Sequence, residues 1–203
     1  MDTTKIRLSP EEEALVSRTD WILTKNSIIE KIKTSLATLQ LQQQRTLDSL
    51  SLLSSQEFGT SPKISKGENY RGLPYLVLDY PRFFDKENIF AIRTFFWWGH
   101  FFSITLQLAG AFKAKYEDNI VVSFDQLKSE QFHVCINDDP WQHDFEASNY
   151  VLLEALSFDR FKKNIQQKTF IKLAKKITII PLHEAEEKLL AGFDQLIGML
   201  KNG

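Results

Sequence analysis

The sequence predicts an α+β protein in which an antiparallel β-sheet, a meander built on residues 96–124, is packed by helices and preceded by an N-terminal two-helix arm. Apolar and polar residues alternate from Phe96 to Tyr116, which is the period of a strand with one buried face. In contrast, residues 11–58 contain neither Gly nor Pro, and their apolar residues recur with heptad spacing. Residues 182–200 have the spacing of an amphipathic helix.

The composition is that of a globular protein with one main domain. The chain has 203 residues, of which 43% are hydrophobic and 25% are charged, so it is able to bury a core. We divide it into a helical arm or hairpin at residues 1–57, a linker at residues 54–74 and an α+β domain at residues 75–203. One compact domain overall is the alternative.

The charge and the N-terminus indicate a soluble, cytoplasmic protein. A net charge of -1 gives no general attraction to phosphate backbones, so nucleic acid is not an expected partner. Residues 1–10 lack the basic start and apolar run of a secretory signal. The apolar stretch at residues 89–112 is interrupted by Arg93, His100 and Gln107, and its period of two favours a strand over a membrane span.

The first helix begins at a capping signal. Ser9 precedes Pro10 and is followed three residues later by Glu12, as in a capping box with proline at the first helical position. A single helix from residue 10 to residue 54 would be about 65 Å long, which exceeds a domain of this size. We therefore predict two helices, with the break at Thr19–Asp20 or at Asn26–Ser27.

The heptad pattern in this arm has two interpretations. Its apolar positions are Leu15, Ile22, Ile29, Leu36 and Leu50 in one series, and Ile32, Leu39 and Leu53 in the other. The first interpretation is a coiled coil that forms a homodimer through residues 22–53, with Gln43 fixing the register. The second is an antiparallel hairpin packed on its own domain.

The middle of the chain combines a loop, a strand and a short helix. Scattered Gly and Pro mark residues 54–74 as a linker. Residues 75–78 are apolar on both faces, which predicts a covered strand. Residues 85–88 can cap a short helix that runs to about Phe95.

The central strand is too long to be straight. Gly99 and Gly110 are the expected sites of a break, a bulge or a sharp bend. Residues 117–119 then predict a turn, and residues 120–124 a strand that returns antiparallel.

The C-terminal third predicts one strand and three helices. The strand is placed at residues 132–136, and the helices at residues 149–156, 160–177 and 182–200. Within the second helix four lysines would share one face: Lys168, Lys172, Lys175 and Lys176. A solvated face is favoured over an anion site because the net charge is close to zero.

Candidate metal ligands are concentrated at residues 138–144. Asp138, Asp139 and Asp144 offer carboxylate oxygens and His143 offers a ring nitrogen, which are donors that divalent cations accept. The spacing matches no metal motif, and Asp-Asp-Pro is also ordinary turn chemistry. The competing interpretation is a turn anchored by Trp141. No motif indicates an organic cofactor.

A ligand site over the sheet is the other chemical candidate. His100 falls on the apolar face of the predicted strand, so we expect its ring to be buried, either bonded to a backbone carbonyl or facing a cavity. Asp79, Arg82 and Arg93 would join it in an aromatic-lined pocket. The single cysteine, Cys135, lies in an apolar run and is expected to be buried and inert.

Two functions are consistent with these features. The first is a non-catalytic binding or assembly module that self-associates through its N-terminal helices. The second is a small-molecule-binding protein or an enzyme with an aromatic pocket over the sheet. A deep pocket around the four polar residues would favour the second function, and an exposed apolar helical face would favour the first.

Overall fold

The computed structural model describes residues 6–50 and 61–201. Within these residues seven strands form one antiparallel sheet: β1 (Lys63–Tyr70), β2 (Leu73–Phe84), β3 (Ile89–Trp97), β4 (Phe101–Ala109), β5 (His133–Cys135), β6 (Tyr150–Leu152) and β7 (Phe170–Thr178). The strand order is β1-β2-β3-β4-β7-β5-β6. The last strand in sequence therefore lies between the meander β1–β4 and the β5–β6 hairpin.

The described residues also form six α-helices. They are α1 (Pro10–Val16), α2 (Asp20–Leu50), α3 (Ala111–Val122), α4 (Phe124–Ser129), α5 (Phe158–Gln167) and α6 (Leu182–Lys201). The α+β class, the antiparallel sheet and the N-terminal pair of helices are confirmed. No helix in the described part of the chain is both long enough and apolar enough to cross a membrane.

The two faces of the sheet are covered differently. One face packs against α2, α3 and α6, and its core includes Leu78, Ile104 and Leu173, all fully buried. The other face is covered by residues 136–149, the connection between β5 and β6, which we call the cover loop. Phe145 of this loop packs edge-on against Phe101 of β4, with ring centroids 5.1 Å apart. The sheet is thus sandwiched between a helical layer and a loop.

The N-terminal helices begin and break as the sequence predicts. At α1 the Glu12 amide donates to Ser9 Oγ (3.2 Å), and the Ser9 amide donates to Glu12 Oε2 (2.6 Å), which completes the capping box. The break lies at residues 17–19, beside the predicted site at Thr19–Asp20, and α2 continues through Asn26 without interruption.

The C-terminal two thirds of α2 pack on the chain's own domain. The heptad residues Ile29, Ile32, Leu36 and Leu39 are buried against the sheet and α6. Thr46 of α2 also donates to Asp194 of α6 (3.1 Å). This packing agrees with the interpretation of the arm as part of its own domain, although the partner of α2 is α6 and not α1. Leu53 lies outside the described residues.

Part of the predicted linker is a strand. β1 occupies residues 63–70 and pairs antiparallel with β2. It is an edge strand whose side chains are largely exposed, and its lysines and glutamate hide the alternation by which a strand is recognised. The segment 54–60 of the predicted linker lies outside the described residues.

The short helix predicted after Asp85 is wrong. The Asp85 carboxylate accepts from the amides of Glu87 (2.8 Å) and Asn88 (2.5 Å). These bonds close a tight turn, and β3 follows it directly. An aspartate that caps a helix and one that closes a turn have the same sequence signature.

The central meander is confirmed as far as Ala109, but the strand predicted onward to Tyr116 and the return strand at residues 120–124 are wrong. Residues 111–122 form α3, in which Tyr116 and Ile120 are buried. A spacing of four residues fits both the strand period and the helical period, so the alternation did not separate the two structures. Gly110 makes the change of direction with a φ of 59°, and a Cβ there would lie 2.4 Å from the Glu87 carbonyl oxygen.

The helix predicted at residues 160–177 is wrong in its second half, where β7 replaces it. Lys172 and Lys175 consequently point to opposite faces of the sheet, because their spacing is odd. Lys172 is only 1% exposed, and Lys175 reaches Glu130 (3.2 Å). Residues 150–155 form β6 and a 3-10 turn in place of the helix predicted there, whereas β5 and α6 are confirmed.

Candidate functional site

The sheet face beneath the cover loop has a polar centre. Asp79 is opposite Arg93, Arg93 is opposite Thr105, and Gln107 is opposite Lys172 in the strand register. Opposite residues of antiparallel strands share a face, and so do residues two apart in one strand. These five side chains therefore form a contiguous group across β2, β3, β4 and β7, and they are almost entirely removed from solvent.

Arg93 links the sheet to the loop. Its Nε and Nη2 donate to the two carboxylate oxygens of Asp79 (2.7 and 3.0 Å), and its Nη1 lies 3.1 Å from Nε2 of His143. A guanidinium is always charged and has no acceptor, so Nε2 must accept this bond and His143 must be neutral, with its proton on Nδ1. Burial, followed by the charges of Lys172 and Arg93, holds the pKa of His143 well below 6.5.

Lys172 is a second buried cation that holds the loop. Its Nζ donates to the backbone carbonyls of Pro140 (2.7 Å) and Gln142 (2.5 Å) and lies 5.5 Å from the Tyr150 ring centroid. It forms no ion pair with any carboxylate in the described part of the chain. Burial lowers the pKa of Lys172 to about 8, because the charged form is held away from water.

The remaining anchors of the loop come from the β1–β2 turn and from the residues before β7. Arg71 pairs with Asp144 (2.9 Å) and Glu146 (2.8 Å), and Lys168 pairs with Asp138 (2.7 Å). In addition, the Tyr70 hydroxyl accepts from the backbone amides at positions 143 (2.8 Å) and 144 (3.1 Å). The cover loop is therefore fixed by side chains and not by a strand ladder.

The structure brings together part of the predicted ligand set. Asp79 and Arg93 are in direct contact. Arg82 lies on β2, as Asp79 does, but its Nε donates to the Ser61 carbonyl (3.1 Å). His100 does not join them, and its predicted burial is wrong. It lies exposed in the turn after β3, where its ring stacks on Trp97 with centroids 3.7 Å apart. The turn takes His100 out of the strand alternation on which the prediction rested.

The four predicted metal ligands each have other partners. Asp138 and Asp144 are ion-paired, and His143 accepts from Arg93. Asp139 accepts from the Trp141 amide (2.9 Å) and from Gln142 Nε2 (2.8 Å), which is the turn chemistry of the competing interpretation. Within residues 6–50 and 61–201 no three His, Cys, Asp or Glu side chains are grouped as a metal ion requires. The arrangement thus gives the metal hypothesis no support.

Cys135 is the last residue of β5, directly before the cover loop. It is 1% exposed, so the predicted burial is confirmed. Its thiol is 3.6 Å from both the Asn137 carbonyl oxygen and Asn149 Oδ1, which belong to the two ends of the loop. Burial raises the pKa of the thiol, so it is not activated as a nucleophile.

A different candidate site lies on the helical side of the molecule. α1 has no buried residue, and neither has the first part of α2, residues 20–28. The apolar side chains exposed on these two helices are Leu15, Val16, Trp21, Ile22, Leu23 and Ile28. They are between 37% and 74% exposed, which leaves an apolar surface in contact with water.

Two clefts adjoin this helical surface and share Ile28 and Trp98 as a common wall. The first has a volume of about 540 Å³ and lies between Trp21 and Pro74, with the Lys25–Glu68 ion pair (2.6 Å) beside it. The second, about 310 Å³, is lined mainly by apolar side chains: Ile28, Ile32, Phe96, Trp98, Phe102, Ile179, Ile180 and Leu182. Together they form an aromatic-walled depression next to exposed apolar helices.

No protein-family model and no curated protein matches this chain. The two candidate sites are therefore interpreted from their geometry and chemistry.

Proposed function

We propose that this protein is a non-catalytic assembly module that forms a homodimer through α1 and residues 20–28 of α2. The observation that supports the proposal is the exposed apolar surface of these two helices. Full burial of an aliphatic or aromatic side chain contributes roughly 1.5–3 kcal/mol, and each of these six side chains, at 37–74% exposed, would contribute part of that gain in an interface. This surface meets the condition that the sequence sets for an assembly function.

The length of α1 supports the same conclusion. It has 7 residues and no buried side chain within its own chain. Helices shorter than roughly 12–15 residues are marginal in water unless tertiary packing stabilises them. α1 therefore needs packing from a partner that covers its apolar side.

The clefts support a second copy of the chain as that partner. Isologous dimers use one self-complementary surface, in which a projecting element of each copy meets a depression of the other. Here the exposed residues Ile22 and Leu23 belong to the same helix as Ile28, which lines both clefts. A two-fold arrangement would cover both at once.

The proposed interface is shorter than the heptad pattern. Leu36 and Leu39 are 1% and 0% exposed and contribute to the core, so their replacement by Glu would unfold the monomer and would not report on association. Among the described residues of the range 22–53, Ile22, Leu23 and Ile28 are exposed and belong to the proposed interface.

The test is the oligomeric state of a double variant, Ile22→Glu with Leu23→Glu. We expect the wild type to be a dimer by light scattering at tens of micromolar, and the variant to be a folded monomer, because two charges would be buried without partners. Val122→Glu is the matched control, since Val122 is 74% exposed on α3, away from this surface. A monomeric wild type at that concentration, or a double variant that remains dimeric, would overturn the proposal.

A further inference from the structure

We propose that the sheet face beneath the cover loop is an oxyanion-binding site and that the cover loop occupies this site in the closed protein. The ligand class is a phosphate group, either free or carried on a phosphoester. The site lies on the opposite face of the sheet from the helical layer, so it is independent of the proposed dimer.

Three donors on three neighbouring strands define the site. They are Nη1 of Arg93 on β3, Nε2 of Gln107 on β4 and Nζ of Lys172 on β7. Two of them are bonded to acceptors of the loop: Arg93 to the His143 ring, and Lys172 to two backbone carbonyls. The loop thus provides Arg93 and Lys172 with the hydrogen-bond acceptors that the oxygen atoms of a bound ligand would otherwise provide.

The unpaired side-chain amide of Gln107 indicates that this face binds a ligand and does not only support the loop. Its side chain is 3% exposed, and Nε2 has no hydrogen-bond partner among the residues the structure describes. A buried donor without an acceptor costs roughly 1–3 kcal/mol, so such groups are rare unless another molecule completes them. The loop acceptors at Arg93 and Lys172 and the missing acceptor at Gln107 mark a position for a ligand oxygen at each of the three donors.

The distribution of charge selects an anion. The cover loop contains Asp138, Asp139, Asp144 and Glu146 and no lysine or arginine. The sheet face beneath it contributes Arg93 and Lys172 against the single carboxylate of Asp79. When the loop is lifted, its four carboxylates leave with it and the sheet face keeps a positive charge. An acidic segment that covers a basic face acts as an internal substitute for an anionic ligand.

The loop has the length and the attachment of a lid. It spans residues 136–149, which reaches the roughly 12–15 residues above which unstructured loops in compact domains are usually functional. Its contacts with Arg93 and Lys172 are made by loop acceptors, and the oxygen atoms of an anion can take the place of these acceptors. Beneath it, Ala91 lies between Arg82 and Gln107 in the register and adds only a methyl group to that face, which leaves room once the loop has lifted.

Phosphate matches the three donors better than a planar carboxylate does. Its tetrahedral oxygens can accept from an ammonium, a guanidinium N–H and an amide N–H that approach from different directions. Asp79 already holds two nitrogens of Arg93 and keeps Nη1 directed away from itself. Nη1 is therefore the arginine nitrogen that is offered to the ligand.

The experiment measures binding and lid opening together near neutral pH. Sodium phosphate is titrated into ¹⁵N-labelled protein, and the amide signals of residues 136–149 are followed. In parallel, the reaction rate of Cys135, the single cysteine, is measured with a disulfide reagent. Sodium chloride at equal ionic strength is the control. We expect phosphate to shift these amide signals in a saturable way and to make Cys135 react faster. The same titration with glycerol phosphate shows whether the site binds a phosphoester or the free ion.

Two variants decide whether the effect belongs to this site. Gln107→Leu removes the unpaired donor with little change of volume, so it is expected to fold and to weaken phosphate binding about tenfold or more. Lys172→Met should do the same, while Lys163→Met on the exposed side of α5 should bind like the wild type. No saturable effect beyond that of chloride, or an unchanged response in Gln107→Leu, would overturn the proposal. If Lys172→Met fails to fold, Gln107→Leu decides alone.

Discussion

The buried ammonium of Lys172 predicts a specific dependence of stability on pH. Burial lowers its pKa from 10.5 in the unfolded chain to about 8 in the folded protein. Between these two values the folded protein has released a proton that the unfolded chain still binds. Because the unfolded state binds more protons there, the free energy of unfolding rises with pH across this window.

The magnitude follows from the pKa difference. One pKa unit corresponds to about 1.4 kcal/mol, so the contribution of Lys172 is on the order of 3 kcal/mol, absent below about pH 8 and complete above about pH 10.5. Cys135 and Tyr150 act in the opposite sense, because burial raises their pKa and their ionisation favours the unfolded chain. The contribution of Lys172 must therefore be measured as a difference between two proteins.

Lys172→Met provides that difference. Urea unfolding followed by far-ultraviolet circular dichroism gives the stability of both proteins across the alkaline range. We expect the wild type to gain about 3 kcal/mol relative to the variant between pH 8 and pH 10.5. The carbonyls of Pro140 and Gln142 lose their donor in the variant, which adds an offset that does not change with pH. Lys163→Met controls for the loss of one positive charge, and a difference that stays constant with pH would refute the reasoning.

Acidification is expected to loosen the cover loop: the pKa of His143 lies well below 6.5 in the folded protein, so stability is lost as the pH falls below about 6.5. The reaction rate of Cys135, divided at each pH by the rate in the urea-unfolded protein to remove the loss of thiolate, should then rise in the wild type but less in His143→Gln, whose amide oxygen accepts without titrating. Equal rises of this ratio in both proteins would contradict the prediction. Gly192→Ala should cost about 1–3 kcal/mol in thermal unfolding, because its Cβ would lie 2.7 Å from Ile104 Cγ2. Gly198→Ala, in the same helix but with no atom within 4 Å, should instead stabilise by about 0.5–1 kcal/mol, and shifts of the same sign in both would refute the packing argument.

The sequence predicts those strands whose two faces differ in polarity or are both apolar. β4 was recognised because its alternation continues through Leu108, and β2 because residues 75–78 are apolar on both sides. The sequence predicts a linker in place of β1 because this edge strand carries polar residues on both sides. The sequence predicts a helix in place of β7 because its lysines recur at spacings that also fit one helical face.

The candidate sites were predictable only in part. Asp79 and Arg93 were singled out as polar residues beside aromatic ones, and they do meet. For Lys172 the sequence instead predicts a solvated helical face shared with three other lysines. Its partners in the structure are backbone carbonyls, 32 residues away in the case of Pro140. Every residue has a backbone carbonyl, so the sequence does not indicate which carbonyl accepts from Lys172. The contact between Lys172 and Pro140 also depends on β7 lying beside β4. Gln107 left a signal, since it interrupts an apolar strand, but the sequence does not tell whether such an amide is satisfied.

The position of β7 also sets an order of assembly for the nascent chain. The meander β1–β4 consists of hairpins between neighbouring segments, which form early because their contacts are local. β5 joins the sheet through β7, by the pairs His133–Ala174 and Val134–Leu173. The cover loop therefore lacks its anchor on Lys172, and β5 lacks its neighbouring strand, until residues 170–178 have left the ribosome. Until then the apolar face around Phe95 and Phe101 lacks part of its cover, and exposed apolar surface of this kind makes partly folded chains prone to aggregation.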